Sequence, residues 1–161
     1  MPNTPALIGA GISGLFANPQ VTDDGRESAE QIMRAVGNIV WLENEGQLDL
    51  VTAVSGSGPA YFFYLMEAIE RVAVGSGLDP ATARTLTVET AIGAGRLALA
   101  SSGSLAVLRK QVTSPGGTTE AAINSLDENQ VSKSVGRAVN AAKARSEELS
   151  QLLGTEDHDK K

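Results

Sequence analysis

The sequence predicts a mainly α-helical protein that opens with a short mixed α/β segment. From about Gln47 onward, apolar residues recur at helical spacing. Most of the segments with this spacing follow a residue that can cap a helix. Residues 1–44 differ, because glycine- and proline-rich turns separate short apolar runs there. Aromatic residues make up only 4% of the chain. The core must therefore be built from Ala, Val, Leu and Ile, which allow helices to approach closely.

The opening segment predicts two short strands around a glycine turn, then a helix and a third strand. The first two strands are expected at Ala6–Ile8 and Leu15–Ala17. Thr22 or Asp23 caps the helix, and Ile39–Leu42 forms the last strand. This segment is too short to form a sheet domain alone.

Helices are expected along the rest of the chain. Two of them begin where a proline follows a capping residue, a placement favoured at the first helical position. A glycine is expected to cap the last helix, and residues 155–161 are expected to form a disordered charged tail. The predicted helices run from Leu48 to Val54, Pro59 to Val74, Pro80 to about Ala100, Ser104 to about Val112, onward from a turn at Gly116–Thr119, and from about Glu128 to Leu153 before Gly154.

The helix that begins at Pro59 predicts an oligomer. Its first two turns are apolar on every side, which is typical of a helix buried all round. A domain of this size can hardly enclose such a helix, so a second subunit is expected to cover it. Gly93 and Gly95 lie inside the next helix, and each lowers the stability of that helix by about 1 kcal/mol relative to Ala. Close packing against a partner helix explains them, and we expect a homodimer or a larger homo-oligomer.

Composition excludes several classes of function. The net charge is -6 and the 13 Lys and Arg residues are scattered, so a nucleic-acid partner is not expected. The chain has no Cys, which excludes disulfides and thiolate metal sites. No apolar run reaches the roughly 18 residues that span a bilayer. We therefore predict a soluble cytoplasmic protein without a membrane partner.

Gly9–Gly14 matches the dinucleotide-binding pattern GxGxxG. That pattern works when its last glycine lies in a helix whose N-terminus faces the pyrophosphate. Here Asn18-Pro19 would interrupt the helix almost at once. The segment is therefore interpreted as a glycine-rich hairpin.

The turn Ser114–Thr119 is a stronger candidate site. Its two glycines let the backbone approach a ligand, and the helix that follows offers free N–H groups to a small anion. The hydroxyls of Ser114, Thr118 and Thr119 add hydrogen bonds. On this pattern alone, an ordinary helix-capping turn is the slightly favoured interpretation.

Other candidate residues have structural explanations. The turn Ser55–Pro59 resembles the first, but a helix cap with tight packing is favoured there. His158 is the only histidine and lies in the charged tail, so neither a Ser-His-Asp triad nor a histidine metal site is predicted. Asp23-Asp24, Glu147-Glu148 and Glu156-Asp157 are interpreted as solvated surface charges.

Three segments of the chain form a distinctive set, namely Met1–Pro5, Ser55–Tyr61 and Val112–Thr119. Together, in their order and spacing, they resemble the signatures of the pyrroline-5-carboxylate reductases. The resemblance runs from Met1 to about Gly154. It implies a helical dimerisation domain of the 6-phosphogluconate dehydrogenase C-terminal type at residues 45–154, where substrate also binds. Residues 1–44 would be the end of a Rossmann domain.

The resemblance also implies a reaction and residue roles. NADPH or NADH reduces 1-pyrroline-5-carboxylate to L-proline, and catalysis consists mostly of holding the imine carbon about 3–3.5 Å from the hydride. Amides around Gly116, Gly117 and Thr118 would hold the substrate carboxylate with help from Ser114. The Thr119 hydroxyl would bond the ring nitrogen as the catalytic residue.

Asn3 and Thr4 would lie near the nicotinamide, but the main nucleotide-binding strands are missing from this sequence. In the family, the helical domain completes the active site of its partner's Rossmann domain. The chain is thus expected to be a fragment, inactive alone. The alternative is a non-catalytic helical dimerisation module. A dehydrogenase of the β-hydroxyacid type is disfavoured, because the helix Pro59–Val74 lacks the catalytic Lys of that class.

Overall fold

The opening segment folds into a strand–helix–strand unit. In the computed structural model, which describes residues 1–156 and side chains as far as residue 152, strand β1 spans Gly11–Leu15, helix α1 spans Asp23–Arg34 and strand β2 spans Gly37–Trp41. The two strands are parallel, which requires a crossover such as α1 between them. The predicted helix and last strand are confirmed. Thr22 caps the helix by accepting a hydrogen bond of 3.2 Å from the Gly25 amide.

Glycines allow the two strands to meet. The register runs from Gly11 opposite Gly37 to Leu15 opposite Trp41. Gly37 has a φ of +152°, and a Cβ there would lie 2.1 Å from the Gly11 carbonyl oxygen. Any side chain at this position would push the strands apart.

The predicted hairpin at the start of the chain is wrong. Ala6–Ile8 belongs to a 3₁₀ turn, Thr4–Ile8, instead of a strand. A proline near the start of the turn fixes a helical φ, and Gly9 ends the turn at a φ of +70°. The second strand lies at Gly11–Leu15 rather than Leu15–Ala17, because this part of the chain pairs with β2.

The GxGxxG match is explained by packing. Gly14 lies in β1 and not in a helix, so the context of a dinucleotide loop is absent from Gly9–Gly14. A Cβ on Gly14 would lie only 2.8 Å from Cγ1 of Val51. The glycine therefore lets the helix that ends at Val51 lie close to the strand.

Helices form the rest of the described chain, as predicted. A π-helical turn, Thr52–Gly56, lies between the first two of them and was not predicted. The helices are α2 (Gln47–Val51), α3 (Gly58–Gly75), α4 (Pro80–Ala100), α5 (Leu105–Gln111), α6 (Thr118–Glu128) and α7 (Val131–Glu156).

The predicted limits of the last helix are wrong. Glu128 ends α6, and Gln130 separates the two helices with a φ of +55°. α7 then starts at Val131 and continues through Gly154 to Glu156, so Gly154 is not its C-cap. The rest of the predicted tail, including His158, lies outside the described residues.

The chain divides into two compact units, residues 1–61 with residues 135 onward, and residues 62–134. Among the residues whose side chains are described, Ala53 and Ala83 are the only fully buried apolar ones. Many large apolar side chains among the described residues are exposed, including Leu97 at 62% and Leu99 at 83%. This apolar surface is available for a partner to cover. No helix within residues 1–156 is long and apolar enough to cross a membrane.

Candidate functional site

The turn between α5 and α6 depends on two glycines. Gly116 has a φ of +70°, a conformation that glycine adopts without steric cost. Gly117 is the N-cap of α6, and its amide donates to the Ser114 carbonyl oxygen at 3.0 Å. A Cβ on Gly117 would also lie 3.0 Å from that oxygen. The turn would thus be strained by a side chain at either position.

Glu120 folds back onto this turn. The Gly116 amide donates to Oε2 of Glu120 at 2.8 Å. Glu120 is the third residue of α6, the position from which a Glu side chain caps a helix start in a capping box. The amides of Gly116 and Gly117 are therefore both engaged within the turn. The predicted carboxylate contact with these two amides would require those bonds to be exchanged.

Three backbone amides at the start of α6 remain open. The first amide to be bonded to a main-chain carbonyl in this helix is that of Ala121, which donates to Gly117 at 3.2 Å. The amides of Thr118, Thr119 and Glu120 donate to no acceptor among the described residues. Such amides, together with the helix dipole, form a site for a small anion. Thr118 is exposed, while Thr119 and Glu120 are half-buried.

Asn3 and Thr4, the predicted cofactor contacts, lie beside β1. Oδ1 of Asn3 accepts a hydrogen bond of 3.0 Å from the Ile12 amide. The Met1 nitrogen donates to the Gly14 oxygen at 2.7 Å, and the Gly14 amide donates to the Met1 oxygen at 3.0 Å. The bond from Ile12 orients the Asn3 side-chain amide with its oxygen toward the strand. The NH₂ group of Asn3 is then the available donor. Thr4 is exposed at the start of the 3₁₀ turn.

In the second glycine-rich turn, Ser55–Pro59, a hydroxyl and a backbone amide are engaged locally. Oγ of Ser55 donates to the Val51 oxygen at 3.0 Å. The Ser57 amide donates to the Thr52 oxygen at 2.8 Å, which closes the π-helical turn. These bonds agree with the predicted structural role of this segment.

α3 and α4 border an open apolar groove of about 1030 Å³. Its aromatic residues are largely exposed, with Phe62 at 67% and Phe63 at 64%. Gly95 also lines the groove, and a Cβ on Gly95 or on nearby Gly93 would meet nothing within 4 Å. A charged pair, Arg84 and Glu70 at 3.9 Å, lies in the same groove.

A model of the pyrroline-5-carboxylate reductase dimerisation domain matches residues 45–149. The chain belongs to the pyrroline-5-carboxylate reductase family. Both the groove and the Ser114–Thr119 turn lie inside the matched part. The predicted family and fold are thus confirmed.

Similar proteins agree with this assignment. A pyrroline-5-carboxylate reductase of Pseudomonas aeruginosa is 53% identical over 96% of this chain and 56% of its own length. The enzyme of Vibrio alginolyticus is 43% identical over 95% of this chain and 57% of its own length. This chain therefore spans little more than half the length of these relatives.

Solved structures show the same fold. A pyrroline-5-carboxylate reductase from Coxiella burnetii superposes with a TM-score of 0.89 and 48% identity, covering 92% of this chain and 55% of the other. The Plasmodium falciparum enzyme, solved with NADP bound, superposes with a TM-score of 0.82 and 31% identity over 91% of this chain and 59% of its own.

Sequence reasoning missed Glu120 at the turn of this reductase-family chain. A signal was present, because Gly117-Thr118-Thr119-Glu120 has the spacing of a capping box with glycine at the N-cap. The π-helical turn had no comparable signal.

Proposed function

We propose that this chain supplies the dimerisation and substrate-binding part of a pyrroline-5-carboxylate reductase. In this role residues 45–154 form the helical domain, and residues 1–44 form the end of the nucleotide-binding domain. The reaction is the reduction of 1-pyrroline-5-carboxylate to L-proline with NADPH or NADH. Family membership and the open amides at the start of α6 together support this proposal.

The observation that carries the site is the set of free amides of Thr118, Thr119 and Glu120. A substrate carboxylate seated there would accept directed N–H bonds at the positive end of the helix dipole. Ser114 is exposed, so its hydroxyl is free to turn toward the same anion. The carboxylate would then anchor the ring at one fixed point.

The Thr119 hydroxyl is proposed to bond the ring nitrogen. A protonated imine needs no general acid, because the nitrogen already carries the proton that stays on the product amine. When bound, the reduced nicotinamide supplies the hydride that the imine carbon accepts. Thr119 and the amides therefore act by orienting the substrate. This agrees with a reaction in which positioning is the main source of catalysis.

Asn3 and Thr4 have donors that suit a nicotinamide. Because Asn3 Oδ1 is held by the Ile12 amide, its NH₂ group can donate to a carboxamide oxygen. Thr4 adds an exposed hydroxyl. These two residues are proposed to hold the nicotinamide end of NADPH or NADH.

A homodimer or larger homo-oligomer is part of the proposal. The exposed groove along α3 and α4 and the match to a dimerisation domain support it. A cytoplasmic location, as expected of a biosynthetic reductase that uses a nicotinamide cofactor, is proposed as well.

A chimera tests the proposal directly. It joins this chain to the part of the Pseudomonas aeruginosa relative that the chain does not match. We expect the chimera to oxidise NADPH in the presence of 1-pyrroline-5-carboxylate, while this chain alone does not. An inactive but folded and dimeric chimera would favour the alternative, a non-catalytic dimerisation module. Full activity of the chain alone would contradict the proposal that it supplies only the dimerisation and substrate-binding part of the enzyme.

Variants of the chimera test the site. Thr119→Ala should lower kcat/KM roughly 10- to 150-fold, since a bond to a charged group contributes about 1.5–3 kcal/mol. Thr119→Ser keeps the hydroxyl and should retain most activity. The matched control is Thr85→Ala, which removes an exposed hydroxyl that, among the described residues, bonds only the Ala81 oxygen. Equal kinetics for Thr119→Ala and the control would remove Thr119 from the site.

A further inference from the structure

We propose that the Glu120 carboxylate competes with the substrate carboxylate for the Ser114–Thr119 turn and so sets its affinity. This inference rests on the proposed function, which makes the turn a carboxylate seat. Glu120 would then be a residue that lowers the affinity of the site for substrate and product, in addition to stabilising the start of α6.

The first support is the contact itself. Oε2 of Glu120 accepts from the Gly116 amide at 2.8 Å, so a carboxylate of the chain already occupies one of the amides predicted to hold the substrate. A second carboxylate that used this amide would have to displace the first. Breaking the Gly116–Glu120 bond would then make the free energy of substrate binding less favourable.

The second support is charge. The amides of Thr118, Thr119 and Glu120 belong to the same first turn as the Glu120 side chain. A substrate carboxylate bound to them would lie near the Glu120 carboxylate, and like charges a few ångströms apart repel. None of the ion pairs found within the described residues compensates Glu120.

The consequence is a site that binds carboxylates less tightly than its amides allow. Weaker binding of the carboxylate helps the product to leave. Because the carboxylate is the same in the ground state and the transition state, the effect falls on KM and not on the chemical step. A structural role alone predicts something different, namely that only the stability of α6 depends on Glu120. A variant that removes the charge but keeps the hydrogen bond distinguishes the effect on affinity from the structural role.

Glu120→Gln makes this separation. A Gln oxygen still accepts from Gly116, as Gln does in capping boxes, but the negative charge is gone. The matched control is Glu128→Gln, which removes the same charge at the exposed far end of α6. Both variants are compared with the unaltered full chain by ¹H–¹⁵N NMR, with L-proline as the added ligand and L-prolinamide as the ligand without a carboxylate.

We expect L-proline to shift the amide signals of Thr118 and Thr119 and to bind Glu120→Gln about 5- to 10-fold more tightly than the unaltered chain. A difference of this size is what one like charge about 4 Å away produces when water screens the pair fully. Its affinity for Glu128→Gln should stay unchanged. L-prolinamide has no carboxylate to be repelled and keeps its ammonium, so it should not bind Glu120→Gln more tightly than the unaltered chain.

Two results would overturn the inference in different ways. If L-proline shifts the turn amides but binds the unaltered chain and Glu120→Gln equally well, Glu120 is a helix cap only and the proposed function stands. If L-proline shifts no turn amide in any of the three proteins, the turn is not a carboxylate seat. The site of the proposed function then fails together with this inference.

Discussion

Ser146 on α7 donates a hydrogen bond to Asp49 on α2, with Oγ and Oδ1 2.6 Å apart. The hydroxyl of Ser150 reaches the same oxygen at 3.4 Å. Asp49 and Ser146 are both half-buried and lie in the same compact unit of the chain. One carboxylate thus ties the last helix to the segment that follows β2.

Removing this carboxylate should loosen α7. Asp49→Ala is expected to lower the free energy of unfolding by about 1.5–3 kcal/mol, the range for hydrogen bonds to a charged group. Asp49→Asn keeps an acceptor and should lower it less. The measurement is urea unfolding, with Asp127→Ala, an exposed aspartate on α6, as the control. In a double-mutant cycle with Ser146→Ala, additive losses would show that the two residues do not interact.

Gly93 and Gly95 should have opposite effects on one chain and on the oligomer. Nothing in the chain lies within 4 Å of a Cβ at either position, so Ala should stabilise α4 by about 1 kcal/mol. If a second copy packs against these glycines, the added methyl groups should weaken association. Sedimentation measurements of Gly95→Ala should therefore show a raised dissociation constant.

The control for this prediction is Gly136→Ala on α7. Gly136 is also exposed and free of contacts within 4 Å, so it should give the gain in helix stability without a change in association. An unchanged dissociation constant for Gly95→Ala would contradict the role of these glycines in the interface.

Helix starts were predictable from the sequence because caps act locally. Thr22, Asp79 and Ser104 each accept a hydrogen bond from an amide two or three residues ahead. The information needed for these starts lies within a few neighbouring residues. The order of the helices and the candidate turn were predictable for the same reason.

Contacts between distant residues were not predictable in this way. The strand expected at Leu15–Ala17 lies at Gly11–Leu15 because it pairs with β2, and the paired residues Gly11 and Gly37 are 26 positions apart. The contact of Ser146 with Asp49 spans 97 residues. The cost of Gly93 and Gly95 to helix stability was enough to predict that they lie at an interface, but the groove beside them could be found only in the structure.

Gly37 should be intolerant of substitution. Its φ of +152° and the 2.1 Å that would separate a Cβ from the Gly11 oxygen leave no room for a side chain. Gly37→Ala is expected to lower the free energy of unfolding by at least about 2 kcal/mol. Gly46→Ala is the control, because Gly46 has an ordinary helical φ of −63°. Thermal unfolding followed by circular dichroism compares them, and equal midpoints would contradict the strand pairing.

Glu30 should make the environment of Trp41 depend on pH. The Trp41 indole donates to Oε2 of Glu30 at 3.0 Å, and Arg34 donates to Oε1 at 2.8 Å. These bonds lower the pKa of Glu30 from its ordinary value of 4.5, with the Trp41 bond as the largest cause. Arg26 lies over the Trp41 ring, 4.3 Å from its centre.

A lowered carboxyl pKa fixes the sign of the effect. The charged Glu30 stabilises the folded state above its unfolded pKa, and this contribution is lost as the pH falls through the lower folded pKa. Because Trp41 is the only Trp, its fluorescence should show a transition with a midpoint below 4.5. Glu30→Gln should abolish the transition, whereas Glu27→Gln on the same helix should retain it. Persistence of the transition in Glu30→Gln would assign it to another carboxyl group.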